Sequence, residues 1–517
     1  MSEENLALNN LSSSYVQTMK AKLVDLKTGN LVAIMNIVDA KELGLLPGDR
    51  IELTNPENSV SVKAIVDVTD SIIMENEVGI FKDIEKVLGV KENGILKVSV
   101  AQKPKSSELI KKKLENKKLN YEEISTIVKD IADNSLSEVE IAAFVSSVYV
   151  NGFDLDETVN MTKALIENGK TIEFGKNKIV DKHSIGGLNG RATMIIVPII
   201  AAAGYIIPKT SSRSITSSAG TADAMEVLAD VSLSIDQIKQ VVEKTGACIA
   251  WGGAVELAPA DDKIIRIEYP LSLDPEGQVI ASVMAKKASV GAKYVVIDIP
   301  IGPFAKVKTR EKAEQMALKF VEVGKRLGMK VEVLLTNGYE PSGPAFGPAL
   351  EAKHALKILE GKVFDNLAQK SVEISGALLE LVGAVQKGKG PEKALEILKS
   401  GKALQKMRQI ISAQNGKIFS SEEIPMAPFS KKVFSKTEGE VKLINVNLLN
   451  KIARVAGAPS SKLSGVLLNV ETGSKVKEKD LLFEIFSENE RKLEAAYELA
   501  NSLEIIEFEK IILEKFS

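Results

Sequence analysis

Residues 211–226 read SSRSITSSAGTADAME, a hydroxyl-rich stretch that runs into an apolar helical pattern at Met225, Val227 and Leu228. Its small residues expose backbone N–H groups, its hydroxyls donate hydrogen bonds, and Arg213 supplies positive charge. A helix after such a loop also presents its N-terminus, so the stretch is suited to binding an anion. A turn rich in Ser and Thr before a helix is equally compatible with simple helix capping.

A second candidate anion loop lies upstream, where residues 182–187 read KHSIGG. Two such stretches together favour a ligand site more strongly than either one alone. Neither contains the GxxxxGK[ST] phosphate loop or the GxGxxG dinucleotide fingerprint, which argues against an ordinary ATPase or dehydrogenase.

The pattern around these stretches alternates between strands and helices. Buried strands are predicted at 179–181, 247–251, 294–299 and 330–335, and helices at 193–203, 234–245, 309–327, 346–361, 372–387 and 391–414. This alternation predicts a mostly parallel (mixed) sheet covered by helices.

The flanking segments differ in character. Short strands and turn clusters fill residues 16–103. Helical periodicity follows, with a predicted capping box at Ser137 and Glu140, and short strands return near the C-terminus. We therefore predict an α/β multidomain protein, with an N-terminal small β-rich assembly module (1–103), a catalytic core (104–425) and a C-terminal α+β domain (426–517). Within the core we predict an α-helical subdomain and an α/β phosphate-binding domain. The helical subdomain covers about 104–168 and 255–290, and the α/β domain covers about 169–254 and 291–425.

Composition excludes several classes of protein. A chain of 517 residues is too long for one compact core. Its net charge of −2 argues against a large nucleic-acid interface, so the lysine run at 111–113 is interpreted as the solvated face of a helix. No apolar run approaches the ~20 residues of a membrane helix, and residues 1–15 lack the apolar core of a signal peptide. We expect a cytoplasmic protein.

The few thiol and imidazole groups also limit the chemistry. Cys248 is the single cysteine, so no intrachain disulfide is possible, and its apolar neighbours indicate a buried strand. His183 and His354 are the two histidines, which argues against a His-rich zinc site. His183 is as compatible with a structural hydrogen bond as with a polar contact to a ligand.

Carboxylates between the predicted elements are candidate proton donors. Asp261 and Asp262 fit a helix cap or a salt bridge as well as they fit catalysis. Asp274 is the sharper candidate, because Pro275 fixes the backbone that follows it.

Both anion loops resemble signatures of one enzyme family. Residues 211–226 are similar to the signature of the thymidine and pyrimidine nucleoside phosphorylases, and KHSIGG is similar to the phosphate loop of that family. The resemblance covers about residues 105–517. The extra N-terminal module and the strings ITSSAGTAD, ACIAWGGA and APADD are most similar to members that act on AMP. The resemblance thus implies phosphorolysis of AMP, with CMP and UMP as further substrates, to free base and ribose 1,5-bisphosphate.

The chain departs from the pyrimidine-specific members at one point. Those members carry an Arg shortly before the stretch that matches Leu273 and Asp274, and it binds a base carbonyl. The aligned residues here are 267–270, with Arg266 one place early. This departure fits a base that lacks that carbonyl.

The resemblance also implies residue roles. Asp274 would be the general acid that protonates N7 of the leaving purine, a role that requires burial or a nearby anion to keep the carboxyl protonated. Inorganic phosphate, a co-substrate, would be held by Lys182, Ser184, Gly186, Thr193, Ser211 and Thr221. AMP would contact Gly186, Ser212, Arg213, Ser214, Ile215, Thr216, Ser217, Thr221, Ser282 and Lys306. The 5′-phosphate is assigned to Arg213 or Lys306.

Other functions remain open at this point. A thymidine or uridine phosphorylase, an enzyme similar to anthranilate phosphoribosyltransferase, and a non-catalytic nucleotide-binding sensor would each use similar loops. We expect no metal or other cofactor, no nucleic-acid or membrane partner, and a homo-oligomer larger than or built from dimers. The helical subdomain and the α/β domain are expected to close around the ligands and exclude water.

Overall fold

A computed structural model describes residues 15–29, 31–175, 178–186, 188–255 and 257–509. Residues 1–14 of the predicted N-terminal module and Gly187 of the KHSIGG stretch lie outside the described residues. The chain forms two compact units. The first contains Met1–Asn168 and Pro259–Gln278, and the second contains Gly169–Ala258 and Val279–Ser517.

Strands and helices alternate in the order that follows. The elements before residue 169 are β1 (Val16–Val24), β2 (Val32–Asn36), α1 (Ile37–Glu42), β3 (Arg50–Asn55), β4 (Val60–Thr69), β5 (Glu77–Phe81), α2 (Lys82–Leu88), β6 (Ile95–Val100), α3 (Lys105–Leu114), α4 (Tyr121–Ala132), α5 (Glu138–Asn151) and α6 (Leu155–Glu167). The next elements are β7 (Val180–Ser184), α7 (Thr193–Ala202), β8 (Ile207–Ser211), α8 (Thr221–Met225), α9 (Ile235–Thr245), β9 (Ala247–Trp251), α10 (Pro259–Leu271), α11 (Glu276–Ser289), β10 (Tyr294–Ile301), α12 (Arg310–Arg326) and β11 (Lys330–Asn337). The last are β12 (Ala345–Phe346), α13 (Pro348–Leu359), α14 (Asn366–Leu381), α15 (Gly390–Lys399), α16 (Lys402–Ala413), β13 (Phe429–Phe434), β14 (Gly439–Ile444), α17 (Val446–Val455), β15 (Gly465–Leu468), β16 (Lys475–Val476), β17 (Leu481–Ser487), α18 (Glu490–Ser502) and β18 (Ile506–Phe508).

The first unit begins with a small closed barrel. Its strand order is β1-β5-β2-β4-β3-β6, and β6 pairs with β1 to close it. Alternate strand residues such as Met19, Met35 and Ile51 fill a buried core, which is the period-two pattern of strands with one face inside. Strands therefore occupy the segment for which the sequence predicts them.

A helical layer follows the barrel within the same unit. The predicted capping box at Ser137 and Glu140 is confirmed at the start of α5, where each side chain binds the other residue's backbone N–H. The predicted solvated lysine face is wrong at one position. Lys113 is buried and pairs with Glu157 at 2.7 Å, because α3 packs against other helices at that turn.

The second unit is built on parallel strands. Strand β10 lies between β11 and β7, and both pairings are parallel. Strand β8 pairs in parallel with β9, and a single bridge from Ile179 to Ile206 joins β7 to β8. Residues 193–201 of helix α7 are buried in the core beside these strands.

The helices after β12 hold two corrections. The helix predicted at 372–387 begins and ends earlier, at Asn366–Leu381, because the side chain of Asp365 caps its start. The sequence predicts a single helix at 391–414, but the chain forms α15 and α16 instead. Gly401 between them has a φ of +76°, a left-handed conformation that ends one helix and starts the next.

The C-terminal segment combines strands and helices, as predicted. Strands β13, β15 and β17 form an antiparallel sheet to which β12 also adds, and β14 pairs with β16 and β18. Helices α17 and α18 pack beside these strands. Among the helices that the structure describes, none is long and apolar enough to cross a membrane.

Candidate active site

The two predicted anion loops lie at the same edge of the parallel strands. Ser184 is the last residue of β7 and Ser211 is the last residue of β8. The carboxyl ends of parallel strands in α/β proteins are the usual place for a ligand crevice. The pairing of β7 with β8 therefore brings the two stretches together, although they are distant in the sequence.

Lys182 lies in a strand, not in a loop as predicted. It is the middle residue of β7 and is 3% exposed. Among the described residues, no carboxylate forms an ion pair with its ammonium group. Burial lowers the pKa of Lys182 to about 8. A buried ammonium that forms no ion pair with a described carboxylate is suited to an anionic ligand.

A buried charged cluster lies beneath Lys182. Asp181 pairs with Lys287 of α11, and its other carboxylate oxygen is 3.6 Å from the Lys209 ammonium of β8. All three side chains are at most 5% exposed. The charges of Asp181 and Lys287 also act on Lys182, and burial lowers the pKa of Lys209 well below its usual value.

His183 belongs to the same environment. Burial, followed by the charges of Lys287 and Lys209, lowers the pKa of His183 well below its usual value. The imidazole is therefore neutral at neutral pH, which argues against a role as a cationic phosphate ligand.

Asp298 fixes the side chain of Ser184. Its carboxylate accepts hydrogen bonds from Ser184 Oγ at 2.6 Å and Thr336 Oγ1 at 2.5 Å, and it pairs with Lys370 at 3.0 Å. Because the Ser184 hydroxyl already donates to Asp298, it must rotate before it can donate to a phosphate oxygen.

The second anion loop is closed by one carboxylate. Asp223 Oδ2 accepts from the backbone N–H groups of Ser214 at 2.7 Å and Gly220 at 2.9 Å. A Cβ at Gly220 would lie 2.6 Å from Ser212 O and from Ser214 N, so only glycine permits this close turn. Ser212, Ile215 and other residues of the loop remain exposed.

Arg213 stabilises this loop through ion pairs with two carboxylates. Its guanidinium forms a two-pronged hydrogen bond with Glu226, at 2.7 and 2.5 Å, and a third bond with Asp223 at 3.2 Å. The guanidinium also lies 4.7 Å from the centre of the Trp251 ring. The hydrogen bond from Arg213, aided by Lys462, lowers the pKa of Glu226 to about 2. The charge of Arg213 is thus already matched by carboxylates.

The predicted proton donor lies in the first unit. Asp274 is exposed in the turn between α10 and α11, just after Ser272, which has a φ of +53°. Gly277 packs the next turn closely against Phe153, since a Cβ there would lie 2.7 Å from Phe153 Cβ. Burial of its side chain, one of the two conditions for a protonated carboxyl, is absent in the structure. The alternative candidates Asp261 and Asp262 lie in the first turn of α10, where carboxylates favour the helix dipole.

The remaining predicted residues occupy several elements. Thr193 is the first residue of α7, and Thr221 is the first of α8. Ser282 is half-buried on α11. Lys306 is exposed, and its backbone N–H lies 3.4 Å from the carbonyl oxygen of Gly186. The second unit therefore brings Lys306 to the end of the first anion loop.

Cys248 is not a nucleophile in this environment. It is buried in β9, as predicted, and burial raises the pKa of its thiol to about 12. A thiol rather than a thiolate is present at neutral pH.

Comparison with known proteins identifies the family. The family model "Glycosyl transferase family, helical bundle domain" matches residues 107–169, and "Glycosyl transferase family, a/b domain" matches residues 176–404. The AMP phosphorylase of Pyrococcus furiosus is 45% identical over 498 residues, which are 96% of this chain and 98% of that protein. The chain belongs to the AMP phosphorylase family. AMP phosphorylase 1 of Archaeoglobus fulgidus, at 46% identity, and the AMP phosphorylase of Methanosarcina barkeri, at 44%, each match 96% of this chain and 98% of their own length.

A solved structure shows the shared fold. Anthranilate phosphoribosyltransferase from Thermus thermophilus matches 60% of this chain and 99% of its own, with a TM-score of 0.52 and 19% identity. That likeness extends the helical bundle and α/β arrangement beyond the AMP phosphorylase family, and it concerns the fold alone.

Sequence reasoning missed the buried charges beneath Lys182. Lys209 and Asp298 each interrupt an apolar strand pattern, and a charge inside a buried strand is a signal that could have been used. The lysines that pair with Asp181 and Asp298, Lys287 and Lys370, come from distant helices.

Proposed function

We propose that this protein cleaves the N-glycosidic bond of AMP with inorganic phosphate, releasing adenine and ribose 1,5-bisphosphate. The similarity to proteins named AMP phosphorylase along 96% of the chain carries this proposal. CMP and UMP are proposed as further substrates. The geometry of the second unit supports an anion-using reaction, because a buried ammonium lies within β7, the strand that ends at Ser184 of the first anion loop.

The phosphate would occupy the space between the ends of β7 and β8. Lys182 supplies the charge, and the N-terminus of α7 at Thr193 supplies backbone donors. We assign the remaining contacts to Ser184, Gly186, Ser211 and Thr221. Charge-assisted hydrogen bonds of this kind are the strong ones.

The nucleotide would lie along the second anion loop. We assign its contacts to Gly186, Ser212, Arg213, Ser214, Ile215, Thr216, Ser217, Thr221, Ser282 and Lys306. For the 5′-phosphate we favour Lys306, which reaches the end of the first loop, because Arg213 is already held by Glu226 and Asp223. Arg213 would then act on AMP by holding the loop in shape.

The reaction needs an acid as well as a nucleophile. Attack of phosphate at C1′ through an oxocarbenium-like transition state leaves electrons on the purine, and protonation at N7 makes the base a neutral leaving group. We assign that proton to Asp274. This carboxyl is exposed, and in the proposed complex the anionic substrates lie beside it. Lysine side chains would supply the positive charge that phosphate and AMP need, so we propose no metal.

Variants of Thr221 and Arg213, both in the second anion loop, should each weaken mainly one of the two substrates. Thr221→Ala is expected to raise KM for phosphate about 5- to 20-fold, the loss of one hydrogen bond to an anion, and to raise KM for AMP, which Thr221 is also proposed to contact, by less. Arg213→Ala should do the reverse, because it frees the loop that contacts the nucleotide. Initial rates at varied AMP and phosphate give both constants. The opposite pattern would mean that the loop is oriented the other way.

Phosphate use should depend on pH through Lys182. Its pKa of about 8 means that the ammonium binds phosphate below that pH and loses its proton above it. We expect kcat/KM for phosphate to fall about tenfold per pH unit above pH 8 to 9. In Lys182→Arg, whose guanidinium stays charged, this fall should disappear. A wild-type profile that stays flat to pH 10 contradicts the assignment.

A substrate panel tests the proposed function. Purified protein is incubated with AMP, CMP, UMP, adenosine or thymidine, with and without phosphate, and the released base is measured. We expect phosphate-dependent release from AMP but not from adenosine, and the same rate after dialysis against a chelator. Release from thymidine would indicate a nucleoside phosphorylase, and AMP binding without release would indicate a sensor.

The assembly and location of the protein are also proposed. We propose a cytoplasmic homo-oligomer built from dimers, since exposed apolar side chains such as Ile72, Met74 and Val150 suit contacts between copies. Light scattering of the purified protein gives its mass in solution.

A further inference from the structure

The C-terminal segment holds the second anion loop from outside. Helix α17 places Asn450, which is 6% exposed, against Ser218. Asn450 Oδ1 accepts from the Ser218 backbone N–H at 2.9 Å and from its hydroxyl at 2.8 Å. One side chain thus fixes both donors of a loop residue that is 232 positions away in the sequence.

A second residue of α17 binds the loop one turn further along. Arg454 Nη1 donates to the carbonyl oxygens of Ile215 and Ser217, each at 3.1 Å. These carbonyls flank Thr216, so the guanidinium spans the tip of the loop. Donation from a charged group to two backbone oxygens restricts the backbone at the tip.

A third contact joins the C-terminal segment to Glu226, the carboxylate that pairs with Arg213 of the loop. Lys462 forms an ion pair with Glu226, the carboxylate that also binds Arg213. Lys462 lies 3.9 Å from Asp223, which closes the loop at Ser214 and Gly220. The C-terminal segment therefore contacts the tip of the loop, the carboxylate that closes it and the carboxylate that pairs with Arg213.

These anchors come from outside the catalytic domains recognised by sequence. The family model of the a/b domain ends at residue 404, whereas α17 begins at Val446. Asp223 and Arg213 close the base of the loop, whereas its exposed tip has short internal bonds such as Ser217 Oγ to Ala219 O at 2.9 Å. Without external contacts such a segment would sample many conformations.

We infer that Asn450 and Arg454 are positioning residues that hold the second anion loop in its ligand-binding shape. The C-terminal segment then sets the affinity for the nucleotide without touching it. This inference deepens the proposed function and rests on it for the identity of the ligand. Because a preformed loop costs less to order on binding, the effect should fall on AMP rather than on phosphate.

The test compares Arg454→Ala with Lys451→Ala, an exposed lysine on the same helix. We expect Arg454→Ala to raise KM for AMP about tenfold, with KM for phosphate and the melting temperature nearly unchanged. Arg454→Lys should recover part of the affinity, and Lys451→Ala should match the wild type. An unchanged KM for AMP in Arg454→Ala would overturn the inference, as would an equal rise in both KM values with a lower melting temperature.

Hydrogen exchange separates this inference from the proposed function. In the ligand-free protein, amides of residues 212–220 should exchange about tenfold faster in Arg454→Ala than in the wild type or Lys451→Ala. Hydrogen exchange is measured without substrate, so it tests the role of α17 even if the wild-type protein does not cleave AMP. Failure to cleave AMP would contradict only the proposed function. Equal exchange in all three proteins would show that α17 does not hold the loop.

Discussion

Replacing Asp274 with Asn is expected to lower kcat on AMP by about 10²- to 10⁴-fold, the usual contribution of a general acid, while AMP still binds. The amide keeps the size of the carboxyl but has no proton to give to N7 of the purine. Without that proton the base would leave as an anion. Steady-state rates at saturating phosphate, with AMP binding measured separately by calorimetry, check both parts of the prediction.

A modified substrate distinguishes proton donation from simple positioning. AMP methylated at N7 already carries the positive charge that protonation would supply, so its base leaves neutral without an acid. We expect Asp274→Asn to cleave this substrate at close to the wild-type rate. Glu276→Gln, two residues along the chain, is the matched control and should leave kcat on AMP within about twofold of the wild type. Unchanged turnover of AMP in Asp274→Asn would remove the assignment.

Lys182→Met should raise KM for phosphate about 30-fold or more. Methionine keeps much of the length of the side chain in its buried place in β7 but removes the ammonium, which forms no ion pair with a described carboxylate. A phosphate bound there would lose a charge-assisted contact in a site of low dielectric, where such contacts are strong.

The matched control for Lys182→Met removes a charge from the surface. Lys389→Met, at an exposed lysine, should leave KM for phosphate unchanged. In calorimetry without phosphate, Lys182→Met should bind AMP with nearly wild-type affinity. A phosphate KM within threefold of the wild type would place the phosphate elsewhere.

Local features of the chain could be predicted from the sequence. The loop at 211–221, the capping box at Ser137 and the buried strand around Cys248 each depend on neighbouring residues, and the structure shows them. The split between α15 and α16 depends on the left-handed backbone at Gly401, a local signal that the helical period concealed.

Long-range pairings could not be predicted in this way. The ion pair of Lys287 with Asp181 and the hydrogen bonds of Asn450 to Ser218 depend on how distant elements pack. A single sequence carries no record of those contacts. The ion pair of Arg213 with Glu226 likewise could not be predicted from the sequence. It matters because it means that the positive charge of Arg213 is already matched by a carboxylate.

Transfer of labelled phosphate tests the central claim most directly. The protein is incubated with AMP and radiolabelled inorganic phosphate, and adenine and labelled sugar phosphate are quantified together. The proposed reaction predicts one labelled phosphate at C1 of ribose 1,5-bisphosphate for each adenine released. Adenine formed without incorporation of label, or no adenine at all, would contradict phosphorolysis of AMP by this protein.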